Sequence, residues 1–376
     1  MALAPRRVVL AANSAWNIVN FRSGLIRALL QHGYAPVVVA PGNSGADARI
    51  NGLGVEWIRV DVDRSGLNPI ADLRLLAQYR RILNRVRPIA LLSFTAKPNI
   101  YGCLAARTTE TAAIPNISGL GTAFMRTGPL RLLVAGLYRL ALAKALTVFF
   151  QNPDDRKLFI EHRLVRADRA RLLPGSGVNL ERFASVAPSA SATQFLFVGR
   201  LLGDKGVREF VAAARIVRLK HPDVRFRLLG PLDEGNRSAI SRAELDAWIN
   251  EGMVEYLGEV DDVRPYLAQA TAVVLPSYRE GLPRTLLEAA AMARPLIATD
   301  VPGCRELIDD GGNGFLCRSR DPSSLADAMV RLAHLPAGER TAMGRASRKM
   351  VEERYSEQIV VQAYLDALGK LQASRS

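Results

Sequence analysis

Short, fully apolar runs alternate along this chain with longer stretches of helical spacing, and the alternation occurs twice. In the first half, residues 7–12, 36–40, 55–60 and 89–93 read as buried strands. Residues 21–31, stopped by Gly33, and 69–86 read as helices, and residues 130–148 are apolar nearly all round. Residues 184–193 (ASVAPSASAT) read as a linker. A second set follows, with strands at 194–198, 225–229, 254–257, 272–275, 295–299 and 314–316. Helices are expected near 207–220, 240–250, 263–269, 323–333, 338–353 and 357–372. Strands alternating with helices predict parallel, doubly wound α/β sheets. The division expected is 1–185, 186–355 and a last segment, 356–376.

In such sheets ligands bind beyond the carboxyl ends of the strands. The stretch of most interest lies there, between the apolar strand 272–275 and a helix-forming run: Pro276-Ser277-Tyr278-Arg279-Glu280-Gly281-Leu282-Pro283-Arg284-Thr285-Leu286-Leu287-Glu288. Pro283 suits a first helical position, and a helix N-terminus beside a glycine-bearing loop suits an anion. Glu280 and Glu288 are poor phosphate ligands but good acceptors for sugar or ribose hydroxyls. After strand 194–198 come Gly199-Arg200-Leu201-Leu202-Gly203-Asp204-Lys205-Gly206, two cations in a glycine-flanked loop suited to a diphosphate. Gly258-Glu259-Val260-Asp261-Asp262 offers backbone that could clamp a base edge, and Gly303-Cys304-Arg305-Glu306 is a further turn after a strand. A nucleotide sugar would use all of these features.

Composition narrows the class. The chain has 376 residues, 49% apolar and 23% charged, ordinary for a globular protein of about two domains. No uncharged apolar run has the length of a membrane span, and no signal peptide is expected at the start. Cys103, Cys304 and Cys317 show no CxxC spacing, and with four scattered histidines they give no metal signature. The whole net charge of +14 falls in residues 1–185, with 25 Lys and Arg against 11 Asp and Glu; residues 186–376 hold 25 of each. A basic half suits an anionic substrate, an anionic membrane surface or nucleic acid. Asn13, Asn17, Arg22, Lys97 and Gly119 fall on loops after strands or at helix starts and define a rim. Along 130–148, Arg131 and Arg139 lie about 80° apart and Lys144 about 140° further on, which is not a clean stripe. A helix covering the sheet and a membrane-surface helix both fit it.

These residues resemble the retaining glycosyltransferases of the GT-B fold, family 4. The resemblance covers nearly the whole chain: Gly199-Arg200 with Lys205, Gly175-Ser176-Gly177-Val178-Asn179-Leu180-Glu181-Arg182-Phe183, Glu280-x7-Glu288 and Gly312-Asn313-Gly314-Phe315. It implies two Rossmann-like domains facing across a cleft, the first binding acceptor and the second donor, with the last helix crossing back to the first. It implies that Gly199, Arg200 and Lys205 hold the donor diphosphate and stabilise the leaving nucleotide. Glu280 and Gly281 would meet the donor sugar, Glu288 the ribose, Val260 the base, and Thr285 and Leu286 the phosphates through their backbone. Catalysis would rest on Arg200, Lys205 and Glu280, with no metal and no cofactor.

Ser65-Gly66-Leu67-Asn68-Pro69, Thr95-Ala96-Lys97-Pro98-Asn99 and Ser118-Gly119-Leu120-Gly121-Thr122-Ala123-Phe124 are similar to one branch. That branch adds N-acetylgalactosamine to undecaprenyl-diphosphate-linked N,N′-diacetylbacillosamine. The resemblance implies a UDP-HexNAc donor, a polyprenyl-diphosphate-linked acceptor, and a monomer on the cytoplasmic face of an anionic inner membrane. Acceptor contacts would come from Asn17, Arg22, Lys97, Gly119, Arg126, Arg131 and Arg139. Many members of the wider family carry a histidine near Ser118 or Gly119. This chain has none there, which leaves a front-face displacement in which the departing phosphate takes the acceptor's proton. Two rival readings are a GT-B nucleotide-sugar epimerase acting on free UDP-sugars and a basic nucleic-acid binder. The Glu-x7-Glu loop opposes the first. The neutral second half opposes the second, so no nucleic acid is expected as a partner.

Overall fold

The computed structural model describes residues 6–42, 46–63, 68–120, 128–187 and 193–373. The chain divides into two compact units, the first made of residues 1–176 and 357–376, the second of 177–356. Unit 1 holds a seven-stranded parallel sheet. Its strands are β1 (Arg6–Ala11), β2 (Tyr34–Ala40), β3 (Glu56–Arg59), β4 (Ala90–Phe94), β5 (Ala112–Ile117), β6 (Val148–Phe150) and β7 (Ala170–Leu172), in the order β3-β2-β1-β4-β5-β6-β7. Unit 2 holds six parallel strands: β8 (Gln194–Val198), β9 (Arg225–Leu229), β10 (Glu255–Tyr256), β11 (Ala272–Leu275), β12 (Leu296–Thr299) and β13 (Gly314–Cys317), in the order β10-β9-β8-β11-β12-β13. Each sheet therefore reverses its winding once, between β1 and β4 and between β8 and β11.

The apolar runs become strands because both faces of each sheet are covered. On β1, Val8 and Leu10 enter one buried cluster while Val9 and Ala11 enter another, the two-residue period of a pleated strand. The helix Glu357–Ala373 packs Val360, Tyr364, Ala367, Leu368 and Leu371 into the first of these clusters, beside Val8 and Leu10. Tyr364 is fully buried, its ring 5.0 Å from that of Phe149, and its hydroxyl accepts a 3.0 Å bond from Asn116 Nδ2.

The division falls earlier than the Ala/Ser/Pro-rich stretch suggests. Val178 and Phe183 belong to the core of unit 2. Arg348 donates to the carbonyls of Phe183 at 2.8 Å and Ala291 at 2.7 Å, and the buried Arg294 donates to that of Val186. Two arginines thus fasten residues 180–186 to unit 2.

Three elements differ from the sequence reading. The helix expected over 21–31 is two, Ala15–Phe21 and Ser23–Gln31, broken where Arg22 leaves helical geometry with φ −129°. The segment 130–148 is not one helix: Pro129–Leu142 is helical and Val148 opens β6, whose run Val-Phe-Phe suits a buried strand. Pro283 caps the helix Arg284–Ala291 rather than opening it. Strands β5 to β7 and the helix Pro153–Glu161 are additional. Ser65, Gly66, Leu67, the run 121–124 and Arg126 lie outside the described residues.

Tyr364→Phe leaves the Asn116 amide buried without its partner and is expected to lower the unfolding free energy of unit 1 by about 1–3 kcal/mol. Urea denaturation followed by tyrosine-independent circular dichroism measures it; an unchanged midpoint would show that this bond does not hold the last helix.

Candidate functional site

The two strands flanking the reversal in unit 2 carry the chemistry. All five residues of β8 are buried, and the chain leaves it through Gly199 and Arg200 into a single tight turn, Gly203–Lys205. Gly206 follows at φ +74°, and a Cβ there would run into the carbonyl of Pro276. Only glycine allows the two loops to meet this closely. Tyr278 N donates to Asp204 O at 3.0 Å, Thr285 Oγ1 to Val198 O at 3.2 Å, and Glu280 N to Pro302 O at 3.1 Å. The loops after β8, β11 and β12 are thereby held as one body.

This joins two of the residues singled out from sequence, Lys205 and Glu280, and adds Ser277. Lys205 Nζ donates to Glu280 Oε1, and the same oxygen accepts from Ser277 Oγ at 2.7 Å. Ser277 is fully buried, and its carbonyl accepts from Thr299 Oγ1. Arg200 is exposed and pairs with Asp233 at 2.7 Å. Glu288 pairs with Arg284 at 2.7 Å, one helical turn before it. Burial pushes the Glu288 carboxyl above its ordinary range, and the Arg284 guanidinium opposes that shift. Leu286 is buried and its N–H donates to Pro283 O at 3.2 Å, so this amide serves the helix cap rather than standing open. Gly281 is buried in the same loop, while Val260 is half-buried after the edge strand β10.

Sequence reasoning missed Ser277, Asp233 and Arg284 as partners. The Arg284–Glu288 pair was legible as an i,i+4 spacing. The Asp233 and Ser277 contacts depend on loop geometry and leave no local signature.

In unit 1 the reversal lies between β1 and β4, and Asn13 N donates to Thr95 Oγ1 at 3.2 Å across it. Lys97 follows at the carboxyl end of β4, bonded to Asp72. Asn17 lies in the first turn of Ala15–Phe21, its N–H donating to Ser14 Oγ at 3.1 Å, and Gly119 follows β5 at φ +132°. Arg22 is not on the rim: its side chain is buried, with the guanidinium 4.0 Å from the centre of the Phe94 ring. Arg131 and Arg139 both reach His162, at 3.3 Å and 3.1 Å, and brace the helix Pro129–Leu142 against the end of Pro153–Glu161. Leu132, Leu133 and Leu140 of that helix are exposed. Among the described residues no group of three or more His, Cys, Asp and Glu is placed to hold a metal ion, and no helix is long and apolar enough to cross a membrane.

Paired cations and carboxylates thus stand at the reversal point of a parallel sheet, the place where open α/β sheets bind ligands. Two family models match the chain: "Glycosyl transferase 4-like domain" over residues 19–175 and "Glycosyl transferases group 1" over residues 192–334. Among solved structures, the fold is similar to sucrose-phosphate synthase from Thermosynechococcus elongatus (TM-score 0.82, 18% identity, 98% of this chain and 100% of that one). It is also similar to Anabaena Alr3699/HepE in complex with UDP and glucose (TM-score 0.79, 15% identity, 97% and 100%). The fold and the two models define a glycosyltransferase. The chain belongs to family 4 of the GT-B glycosyltransferases, of the kind that act in bacterial glycan biosynthesis. In sequence it is 26% identical, over 96% of this chain and 97% of the relative, to the N,N′-diacetylbacillosaminyl-diphospho-undecaprenol alpha-1,3-N-acetylgalactosaminyltransferase of Campylobacter jejuni. It is 23% identical, over 77% and 79%, to the capsular polysaccharide biosynthesis glycosyltransferase CapM of Staphylococcus aureus.

Proposed function

We propose that the protein transfers an N-acetylhexosamine from a UDP-sugar, with retention, to a polyprenyl-diphosphate-linked saccharide at the cytoplasmic face of the membrane. The observation that carries the reading is the Lys205–Glu280–Ser277 cluster at the reversal of unit 2, in a chain alignable nearly end to end with a transferase named for such an acceptor. Arg200 and Lys205 would take up the diphosphate oxygens, parting from Asp233 and Glu280 as the donor enters. Glu280, relieved of the lysine and still held by Ser277, would accept from sugar hydroxyls, and Glu288 from the ribose. Val260 would lie against the base, and Gly199, Gly281 and Thr285 would line the donor.

As the glycosidic bond to the β-phosphate breaks, charge grows on the departing oxygens, where the two cations face it. The acceptor hydroxyl attacks from the same face and passes its proton to the leaving phosphate. The arrangement asks for no metal and no general base. On unit 1, Lys97, Asn17 and Gly119 would form the acceptor side, with Arg131, Arg139 and the exposed leucines of Pro129–Leu142 toward an anionic membrane. The protein would work as a monomer. Interconversion of free UDP-sugars by an epimerase would make no use of that apolar face.

Radiolabelled UDP-GalNAc incubated with undecaprenyl-diphosphate-linked diacetylbacillosamine should yield an α-linked, solvent-extractable product. A β-linked product, or none with any UDP-HexNAc, refutes the reading. In that assay Lys205→Ala and Glu280→Ala should each slow turnover by about 100-fold or more with the melting temperature unchanged; near-normal turnover in either removes that residue from the mechanism.

Replacing Leu132, Leu133 and Leu140 together by serine should weaken flotation with anionic vesicles by about tenfold or more, since fully burying even one leucine side chain is worth about 1.5–3 kcal/mol. Equal flotation of variant and parent would place the membrane contact elsewhere.

A further inference from the structure

Two of the chain's four histidines meet at the amino end of the second sheet. The helix Val207–Arg218 follows β8, and the helix Pro322–His334 follows β13. Phe210, Ala214 and Val217 of the first enter the same buried core as Leu325, Met329 and Leu332 of the second, and the two helices pack against each other. Both leave the carboxyl ends of parallel strands, so they run the same way and finish together. His221 stands between the end of the first helix and the start of β9, and His334 is the last residue of the second. Their ring centres lie 4.8 Å apart with the planes at 75°.

The other two histidines each commit a ring nitrogen: His32 Nδ1 lies 2.8 Å from Ala28 O, and His162 Nε2 lies 3.3 Å from the Arg131 guanidinium. Among the described residues, neither His221 nor His334 makes a side-chain hydrogen bond or ion pair. His334 is not needed to cap its helix either, because Arg340 Nη1 donates to the carbonyls of Ala333 at 3.1 Å and Leu335 at 2.8 Å.

Two imidazoles bound to one ion at about 2.0–2.1 Å hold their ring centres about 3.2 Å from it, so a bond angle of about 90–110° separates the centres by about 4.5–5.2 Å. The observed spacing falls inside that range. The local field also suits a cation, since each helix brings the negative end of its dipole to this point. Of the charged residues nearby in sequence, Arg331 is engaged over the Phe315 ring at 4.1 Å, while Lys220 and Asp223, before and after His221, are exposed and of opposite sign.

We propose that His221 and His334 form a two-histidine site for a divalent transition-metal ion, which clasps the carboxyl ends of the two helices together. Neutral imidazole suits copper, nickel and zinc, and copper binds tightest of the three. Magnesium and calcium take oxygen ligands instead. His334 is exposed and His221 half-buried, so the ion enters from solvent and water completes its shell. Lys205 and Glu280 follow the carboxyl ends of β8 and β11, at the other end of the sheet. The ion therefore takes no part in sugar transfer, and the site stands whether or not that reading does.

Isothermal titration of the full chain, freed of metal on a chelating resin, with Cu²⁺, Ni²⁺, Zn²⁺ and Mg²⁺ in turn tests it. The parent should bind Cu²⁺ tightest, Ni²⁺ and Zn²⁺ more weakly and Mg²⁺ not at all. Electron paramagnetic resonance of the Cu²⁺ form should show coupling to two imidazole nitrogens. His221→Ala and His334→Ala should each weaken Cu²⁺ binding by about tenfold or more, since disturbing even an outer partner of a metal ligand costs that much. The double variant should lose less than the sum of the two, and His32→Ala should bind as the parent does.

Unchanged Cu²⁺ affinity in His334→Ala, whose exposed side chain can be removed without opening the core, would overturn the site. Coupling to a single nitrogen would overturn the pairing. An equal loss in His32→Ala would place the ion elsewhere, and Mg²⁺ binding as tightly as Cu²⁺ would overturn ligation by imidazole.

Discussion

A parallel sheet can change its direction of winding only by leaving a gap between the loops of two neighbouring strands, and this chain does so twice. The reversals between β1 and β4 and between β8 and β11 decide where side chains can converge without either strand being lost from the core. Asn17, Lys97, Arg200, Lys205, Glu280 and Glu288 sit on loops leaving those four strands or on helices beginning beside them, while Asp72, Gly119, Asp233 and Val260 follow β3, β5, β9 and β10. The strands themselves carry almost nothing but packing: β11 is Ala-Val-Val-Leu and fully buried. The sheet supplies rigidity, and the gap supplies access.

At each reversal a lysine is held by a carboxylate from another element, Lys205 by Glu280 and Lys97 by Asp72. A partly covered ammonium with no counter-charge would carry a desolvation penalty, and a partner offsets it. The same partner costs affinity when an anionic ligand arrives, because the pair must be shared or parted. Each pair is neutral as a whole, and on the proposed reading an anionic ligand would gain charge-assisted bonds from the lysine it shares. In unit 2 the Glu280 oxygen bonded to Lys205 also accepts from Ser277 Oγ.

Much of this was legible in the sequence, for reasons that differ by element. Strands β2, β4, β8 and β11, and β1 from Val8, announce themselves because a strand covered on both faces is largely apolar. The loop from Pro276 to Glu288 stood out because glycine, proline and two carboxylates interrupt such a pattern. Strands β6 and β7 are three residues each, too short to show a period, and β6 was absorbed into the apolar run of the helix before it. Arg22 looked like a rim residue because charge usually faces water; the break between two helices turns it inward over Phe94 instead. The partners Asp72, Asp233 and Ser277 depend on loop placement. A sequence offers no direct sign that an aspartate on one helix meets a lysine after a strand 25 positions on.

The most direct measurement is a crystal structure of the protein with UDP bound. The account predicts diphosphate oxygens within about 3 Å of Lys205 Nζ and the Arg200 guanidinium, the Lys205–Glu280 bond parted or shared, and the ribose against Glu288. UDP bound away from the loops after β8 and β11, with Lys205 and Glu280 still joined to each other, would contradict it.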